Sequence, residues 1–312
     1  MSKSRLRIVT RKSPLALWQA NHVRERLLAL HDGLVVEVTG VRTEADRFQN
    51  KSLASMGGKG AFVKELEEAL LSGRGDLAVH SMKDVTVDMP EELALPVMLR
   101  RGDPGDAFVS NHHGSLDALP GGANVGTSSL RRSCQIRHAR PDLNVRDIRG
   151  NVGTRLRKLD EGQYDALVLA TSGLTRLQLE DRIRSRLAPE QLLPAIGQGA
   201  LGIETRRDDA EVLSLLAGLN DEETRICVSA ERAVSRRLNG GCLAPVAGYA
   251  TLQDDRLHIT ALVGRPDGTE MVRDTISGPA AQAETLGEEL GRRLLAQGAD
   301  RILGEIMNND QK

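Results

Sequence analysis

Two apolar runs in this chain end in Gly, Ser and Thr and open straight onto arginine-bearing helical patterns: Val125-Gly-Thr-Ser-Ser-Leu-Arg131-Arg132 and Val145-Arg-Asp-Ile-Arg149-Gly-Asn-Val-Gly-Thr-Arg155. A strand that breaks on small residues before a helix is the joint of a βα unit, and it aims backbone N–H groups and the positive helix end at one spot. Arginines there make a receptor for several carboxylates or phosphates, because guanidinium forks bind such groups in bidentate fashion and stay charged at every working pH. The alternative is a set of solvated helix faces paired with Asp and Glu. Recurrence at the same strand-to-helix position favours the anion receptor.

Charge balance narrows the anion. Lys and Arg number 42 against 43 Asp and Glu, the net charge is -1, and 2% of residues are aromatic. Nucleic-acid binders usually show a basic excess, with aromatic platforms for single strands. The expected ligand is therefore a small multi-acid molecule in one pocket, with no nucleic acid as partner. No run approaches the roughly 18 apolar residues of a membrane span, and the N-terminal MSKSRLRIVTRKS lacks a signal-peptide core, so a cytoplasmic protein off the membrane is expected. Cys134, Cys227 and Cys242 have no C-x-x-C spacing, which indicates neither a disulfide framework nor a metal site.

Strand-like and helix-like segments alternate, which predicts a parallel α/β architecture. Strands are expected at 6–9, 35–38 and 77–79. Ser13 is expected to cap a helix with Pro14 at its first position and Ala16, Ala20, Val23, Leu27 and Leu30 on its apolar face. A second helix is expected over 62–71. Residues 42–60, ending in Met-Gly-Gly-Lys-Gly, read as a mobile loop; Leu53 replaces the first glycine of a phosphate loop and no Ser or Thr follows Lys59, which argues against a nucleotide site.

A second α/β set is expected from about residue 100, with strands at 107–109, 125, 144–148 and 166–169. Pro194-Ala-Ile-Gly-Gln-Gly199 then reads as a domain crossing before another strand at 201–203. A helix over 222–238, three alternating strands (246–252, 257–263 and 271–276) and a closing helix over 281–296 predict a smaller α+β domain with an antiparallel sheet. The expected division is 1–99 with 200–217 as one α/β lobe, 100–199 as a second carrying the arginine clusters, and 218–312 as the α+β domain.

Two further places carry chemistry. His80-Ser-Met-Lys83-Asp84 follows a short strand, where ligands of open α/β sheets bind; the pair either serves a ligand or closes a turn. His80 alone reads as a residue satisfying local hydrogen bonds. In Gly240-Gly-Cys242 the paired glycines leave the sulfur accessible, whereas Cys227 reads as buried filler; Cys242 is either an inert turn cysteine or a covalent site.

Taken together, Arg11-Lys-Ser13-Pro-Leu-Ala-Leu, Gly57-Gly-Lys-Gly60, Ala78-Val-His-Ser-Met-Lys-Asp84, Val125-Gly-Thr-Ser-Ser-Leu-Arg-Arg132, Arg149-Gly-Asn-Val-Gly-Thr-Arg155 and Gly240-Gly-Cys242 closely resemble the porphobilinogen deaminase family, in order, from about residue 5 to about residue 305. The resemblance implies two periplasmic-binding-protein-like α/β lobes with a cleft between them and a smaller α+β C-terminal domain. It implies a transferase that joins four porphobilinogen molecules head to tail, releases ammonia each time, and frees the linear tetrapyrrole hydroxymethylbilane with water. It further implies a dipyrromethane cofactor held as a thioether by Cys242 and contacted by Lys83, Ser129, Arg131 and Arg132. Asp84 is the implied catalytic residue, since a fixed carboxylate stabilises the positive charge that spreads onto the pyrrole nitrogen as ammonia leaves. Arg11, Ser13, Arg149, Arg155, Arg176 and Gln198 are implied substrate-binding residues, with Lys59 and Phe62 on the flexible loop. A monomer that hands its product to uroporphyrinogen-III synthase is implied as well.

The sequence departs from the family pattern in three places. Glu44-Ala45 stands where a glycine commonly precedes Asp46, Ser55 where many members are basic, and Thr86 where proline usually follows Lys-Asp-Val. Thr86 keeps an N–H that proline lacks, which loosens the expected turn after Asp84. The rival expectation from another class is a non-catalytic small-anion receptor of the solute-binding type, against which stand the third domain and its Gly-Gly-Cys.

Overall fold

The computed structural model describes residues 4–41, 63–87, 89–239 and 244–309. The expected mobile loop, with Glu44, Ala45, Ser55, Lys59 and Phe62, and the cysteine Cys242 lie outside the described residues. The chain divides into two compact units, Met1–Gly102 with Ala200–Arg225, and Asp103–Gly199 with Ile226–Lys312.

Unit 1 is built on a five-stranded sheet of order β2-β1-β3-β10-β4, with β1 Arg5–Arg11, β2 Val35–Val41, β3 Leu77–Ser81, β4 Leu93–Leu99 and β10 Leu201–Arg206. β1 pairs in parallel with β2 and β3, whereas β10 runs antiparallel to both β3 and β4. The sheet is thus mixed, not parallel as the alternation predicts. The reason is that β10 enters this sheet from the far side of a long excursion, so no crossover helix dictates its direction. β3 also runs two residues further than expected, because His80 and Ser81 continue the ladder with Gly202 and Leu201.

Ser13 caps α1 (Pro14–Leu30) as expected, its Oγ accepting from the Ala16 N–H at 3.3 Å with Pro14 in the first turn. Ala20, Val23 and Leu27 are fully buried against Leu6, Ile8, Leu77 and Ile203. Leu30, the last residue of the helix, is 49% exposed, a correction to its expected place on the apolar face. α2 spans Lys64–Leu71 and buries Leu66, Ala69 and Leu70 over the other face of the sheet, against Val9, Ala78 and Leu93.

Unit 2 holds two sheets. The first, of order β7-β6-β8-β5-β9, repeats the arrangement of unit 1: β6 (Asn124–Gly126) pairs in parallel with β7 (Asn144–Arg146) and β8 (Ala166–Ala170), and β5 (Asp106–Val109) is antiparallel to β8 and β9 (Ser185–Leu187). Its helices are α3 (Leu130–Ala139), α4 (Val152–Asp160) and α5 (Thr171–Arg176), and Phe108, Val125, Ile136 and Val168 fill one side of the sheet.

The second sheet is the expected antiparallel one, β11 (Val246–Gln253), β12 (Arg256–Gly264) and β13 (Met271–Pro279). It packs with α7 (Glu222–Arg237) and α8 (Ala283–Leu294) around Val234, Ile259, Val263 and Leu290. In unit 1, α6 (Ala210–Leu216) precedes α7 in the chain. The closing helix does not end the chain: after Gly298, at φ 105°, α9 runs over Asp300–Asn309. Close packing of α7 on α8 depends on Gly287, where a Cβ would stand 2.2 Å from the Ala230 carbonyl oxygen.

Candidate active site

In both α/β units the sequence-predicted residues gather just beyond the carboxyl ends of parallel strands, the edge where open α/β sheets bind ligands. In unit 1, Arg11 ends β1 and Ser13 caps the helix that follows. Lys83 and Asp84 lie on the single 3-10 turn Met82–Asp84 that continues β3. Since β1 and β3 are parallel neighbours, all four residues share one sheet edge. Asp84 is exposed and Lys83 half-buried. The Gln19 side-chain amide donates to Ser81 Oγ at 2.8 Å, tying α1 to the end of β3.

His80 does more than satisfy local bonds. Its Nε2 stands 2.9 Å from Glu204 Oε2 on β10, both side chains being buried. The Glu67 carboxyl is pushed up by burial and then by the charge of Glu204. Sequence reading did not pick out Glu204, although an acid inside the apolar run Leu201-Gly-Ile-Glu-Thr is a signal for a buried partner.

In unit 2, β6 leads through Thr127 and Ser129 into α3. Ser129 is the N-cap, its Oγ accepting from the Arg132 N–H at 3.4 Å. β7 leads through Arg149 and Gly150 into α4, capped by Asn151, whose Oδ1 accepts from the Thr154 N–H at 2.9 Å. Gly150 is required there: its φ is 112°, and a Cβ would lie 2.6 Å from Thr154 Cγ2. β8 leads into α5, with Arg176 in its last turn.

The arginines are not equivalent. Arg131 and Arg132 are buried and share one carboxylate, that of Asp106 at the start of β5. Arg131 Nη1 donates to Oδ2 at 2.8 Å, and Arg132 Nη2 and Nε donate to Oδ1 at 2.7 and 3.0 Å. Burial alone would push the Asp106 carboxyl up, but the charges of Arg131 and Arg132 outweigh it and hold it well below the usual carboxylate range. Gln198 completes the knot, its Nε2 donating to Asp106 Oδ1 at 3.0 Å and to the Pro104 carbonyl at 2.7 Å. Gln198 is fully buried. Asp106 was not singled out from sequence, since a lone acid flanking Ala107-Phe-Val looks like a strand boundary.

Arg149, Arg155 and Arg176 are half-buried instead. Arg149 Nε lies 2.7 Å from Asp147 Oδ2, and Arg176 Nη2 donates to the Gly199 carbonyl at 2.6 Å. Arg155 Nε donates to the Gly150 carbonyl at 2.8 Å, and among the described residues no carboxylate comes within ion-pair distance of it. Burial and then the neighbouring charge of Arg132 push Arg155 down to about 10, and burial takes Arg176 to about 10. Both remain cations at pH 7, in surroundings that disfavour the charge. Arg131 Nε is likewise buried with no hydrogen-bond partner among the described residues. Unmet donors and crowded cations of this kind suit incoming carboxylates.

Cys134 and Cys227 are both buried, and burial pushes the Cys134 thiol up to about 12.

Among solved structures the chain is similar to the methionine-binding protein MetQ (14% identity over 71% of this chain and 92% of that one, TM-score 0.46). It is also similar to the periplasmic aliphatic sulphonate binding protein SsuA from Escherichia coli (15%, 76% and 71%, TM-score 0.42). A third is an ABC transporter periplasmic substrate-binding protein from Coxiella burnetii (15%, 69% and 91%, TM-score 0.44). At TM-scores below 0.5 these likenesses have no bearing on what the chain does. Two family models match instead: porphobilinogen deaminase, dipyromethane cofactor binding domain, over residues 6–214, and porphobilinogen deaminase, C-terminal domain, over residues 225–296. Between them they take in nearly the whole sequence, and the chain belongs to the porphobilinogen deaminase family.

Proposed function

We propose that Asp84 is the catalytic carboxylate of the family reaction, that Cys242 holds the cofactor as a thioether, and that the arginines of unit 2 bind the acidic side chains of cofactor and substrate. Family membership brings the activity itself: four porphobilinogen molecules are joined head to tail with loss of ammonia, and hydroxymethylbilane is released with water. The cofactor is a dipyrromethane, which when bound supplies the primer carbon from which the chain grows.

The residues fit such a group. Each pyrrole of the cofactor and substrate carries an acetate and a propionate, and among the described residues Arg131 Nε has no hydrogen-bond partner and Arg155 no carboxylate. That observation carries the assignment. Ser129, Arg131, Arg132 and Lys83 are proposed to hold the cofactor carboxylates, and Arg11, Ser13, Arg149, Arg155 and Arg176 those of the substrate. Gln198 we assign to positioning, because its amide is spent on Asp106 and Pro104. What supports Cys242 is the family's Gly-Gly-Cys and the burial of the other two cysteines.

On the substrate side, Asp84 accepts a hydrogen bond from the pyrrole N–H and stabilises the cation that forms there as ammonia leaves, while the arginines fix the ring through its carboxylates. We further propose a three-domain division, 1–99 with 200–217, 100–199 and 218–312. The last domain is supported by the separate core around Val234, Ile259 and Leu290. A cytoplasmic monomer that passes its product to uroporphyrinogen-III synthase completes the proposal on the strength of the family alone. Among the described residues no helix is long and apolar enough to cross a membrane.

The test is Arg155→Leu. Removing a cation that the fold disfavours should leave Tm unchanged or raise it, while KM for porphobilinogen rises about tenfold or more with the loss of a charged hydrogen bond. Unchanged KM and cofactor loading would remove Arg155 from the binding set.

A further inference from the structure

Asp84 sits on one 3-10 turn, which by itself is too short to fix a carboxylate. The turn is held by β10, the strand that follows Gly199. Met82 N–H donates to the Ala200 carbonyl at 3.0 Å, and Leu201 to Thr205 then pair with Ser81 to Leu77. The Met82 side chain is 1% exposed and fills a notch that exists because residue 202 is glycine. A Cβ at Gly202 would stand 2.2 Å from Met82 Sδ, 3.4 Å from its Cγ and 3.3 Å from Leu95 Cδ2. Two residues further along β10, on the same face as position 202, Glu204 reaches back to His80 at 2.9 Å. The Val85 N–H closes the turn on the Met82 carbonyl at 3.3 Å.

We infer that β10 is the positioning element of the catalytic carboxylate: Gly202, through Met82, and Glu204, through His80, hold the Met82–Asp84 turn so that Asp84 is already in place when substrate binds. None of the four residues needs to touch the ligand. The inference rests on Asp84 being the catalytic carboxylate. Its physical basis is that a methyl placed at residue 202 must displace the Met82 side chain, and a fully buried methionine in a close-packed core has little slack, so part of the strain passes to the turn that carries it. A misplacement of about 1 Å at a reacting group is worth as much as about 100-fold in rate.

Gly202→Ala, Glu204→Gln and the double variant Gly202→Ala/Met82→Ala, made in the full chain, test it. Each is measured for cofactor loading by intact mass, for kcat and KM separately, and for Tm. Gly202→Ala should load cofactor and keep KM near wild type while kcat falls about 10- to 100-fold. The double variant should regain part of that loss, because it deletes the atoms the new methyl meets. Glu204→Gln should lower kcat in the same selective way. Should Gly202→Ala fail to fold, Glu204→Gln decides alone. Wild-type kcat in Gly202→Ala or Glu204→Gln would overturn the inference, as would a kcat loss that Met82→Ala leaves unrelieved. Asp84→Asn run alongside separates the two levels: if it keeps turnover the site assignment fails, whereas an inactive Asp84→Asn beside a normal Gly202→Ala sinks only the role of β10.

Discussion

Asp84→Asn is expected to lower turnover of porphobilinogen by about 10²- to 10⁴-fold, the usual contribution of a positioned carboxylate that moves or stabilises a proton charge. The amide keeps the size and one acceptor of the side chain but cannot supply the negative charge that opposes the cation forming on the pyrrole nitrogen. The ground state is neutral at that nitrogen, so the loss falls on kcat, with KM little changed. Asp84 is exposed at the end of a turn anchored by the buried Met82, so the substitution should leave Tm where it was. Single-turnover kinetics on cofactor-loaded protein would show it, and near-normal turnover would remove Asp84 from the mechanism.

The second large effect is on stability. Asp106 is the counter-charge shared by the buried pair Arg131 and Arg132, and it is fully buried itself. Asp106→Asn takes from Arg131 and Arg132 the buried carboxylate that they share, and breaking a buried ion pair in this way costs about 3–5 kcal/mol. The sign of the pH dependence follows from the depressed carboxyl. Its contribution is fully present above the ordinary carboxylate value and is lost only as pH falls through the lower folded-state value, so at pH 7 the wild type holds all of it. Urea unfolding at pH 7 should show the loss, and added citrate should recover more of it in the variant than in the wild type. A change below about 1 kcal/mol would mean that the arginines find other partners.

The α/β alternation was legible because strand and helix periods are local properties, and the two arginine-bearing joints lie at β6–α3 and β7–α4 as their small residues imply. Strand direction was not legible. β5 and β10 run against their neighbours, and nothing in Asp106–Val109 or Leu201–Arg206 encodes which way a strand enters a sheet. β4 escaped notice because Pro96 interrupts its apolar run. The structure accommodates that proline on an edge strand, where the register with β10 shifts between Ile203 and Thr205. β9 is three residues long and polar at its start, too little for a pattern.

The site divides along the same line. Residue types at strand ends pointed to Arg131, Arg132 and Asp84, but the sequence could not tell an arginine spent on the protein from one left for a ligand. That distinction rests on Asp106, 25 positions from Arg131 and brought to it only by the sheet. Glu204 and Gly202 were hidden for the same reason, since their partners His80 and Met82 meet them through antiparallel pairing across more than a hundred residues.

We propose that this chain builds its product on a dipyrromethane primer held by Cys242. Intact mass of the denatured protein, with Cys242→Ser as control, tests it most directly. The expected result is an excess of two linked porphobilinogen-derived pyrrole units on the wild type, or its appearance after incubation with porphobilinogen, and none on Cys242→Ser. A bare wild-type mass that porphobilinogen does not change, or an equal excess on both proteins, would contradict it.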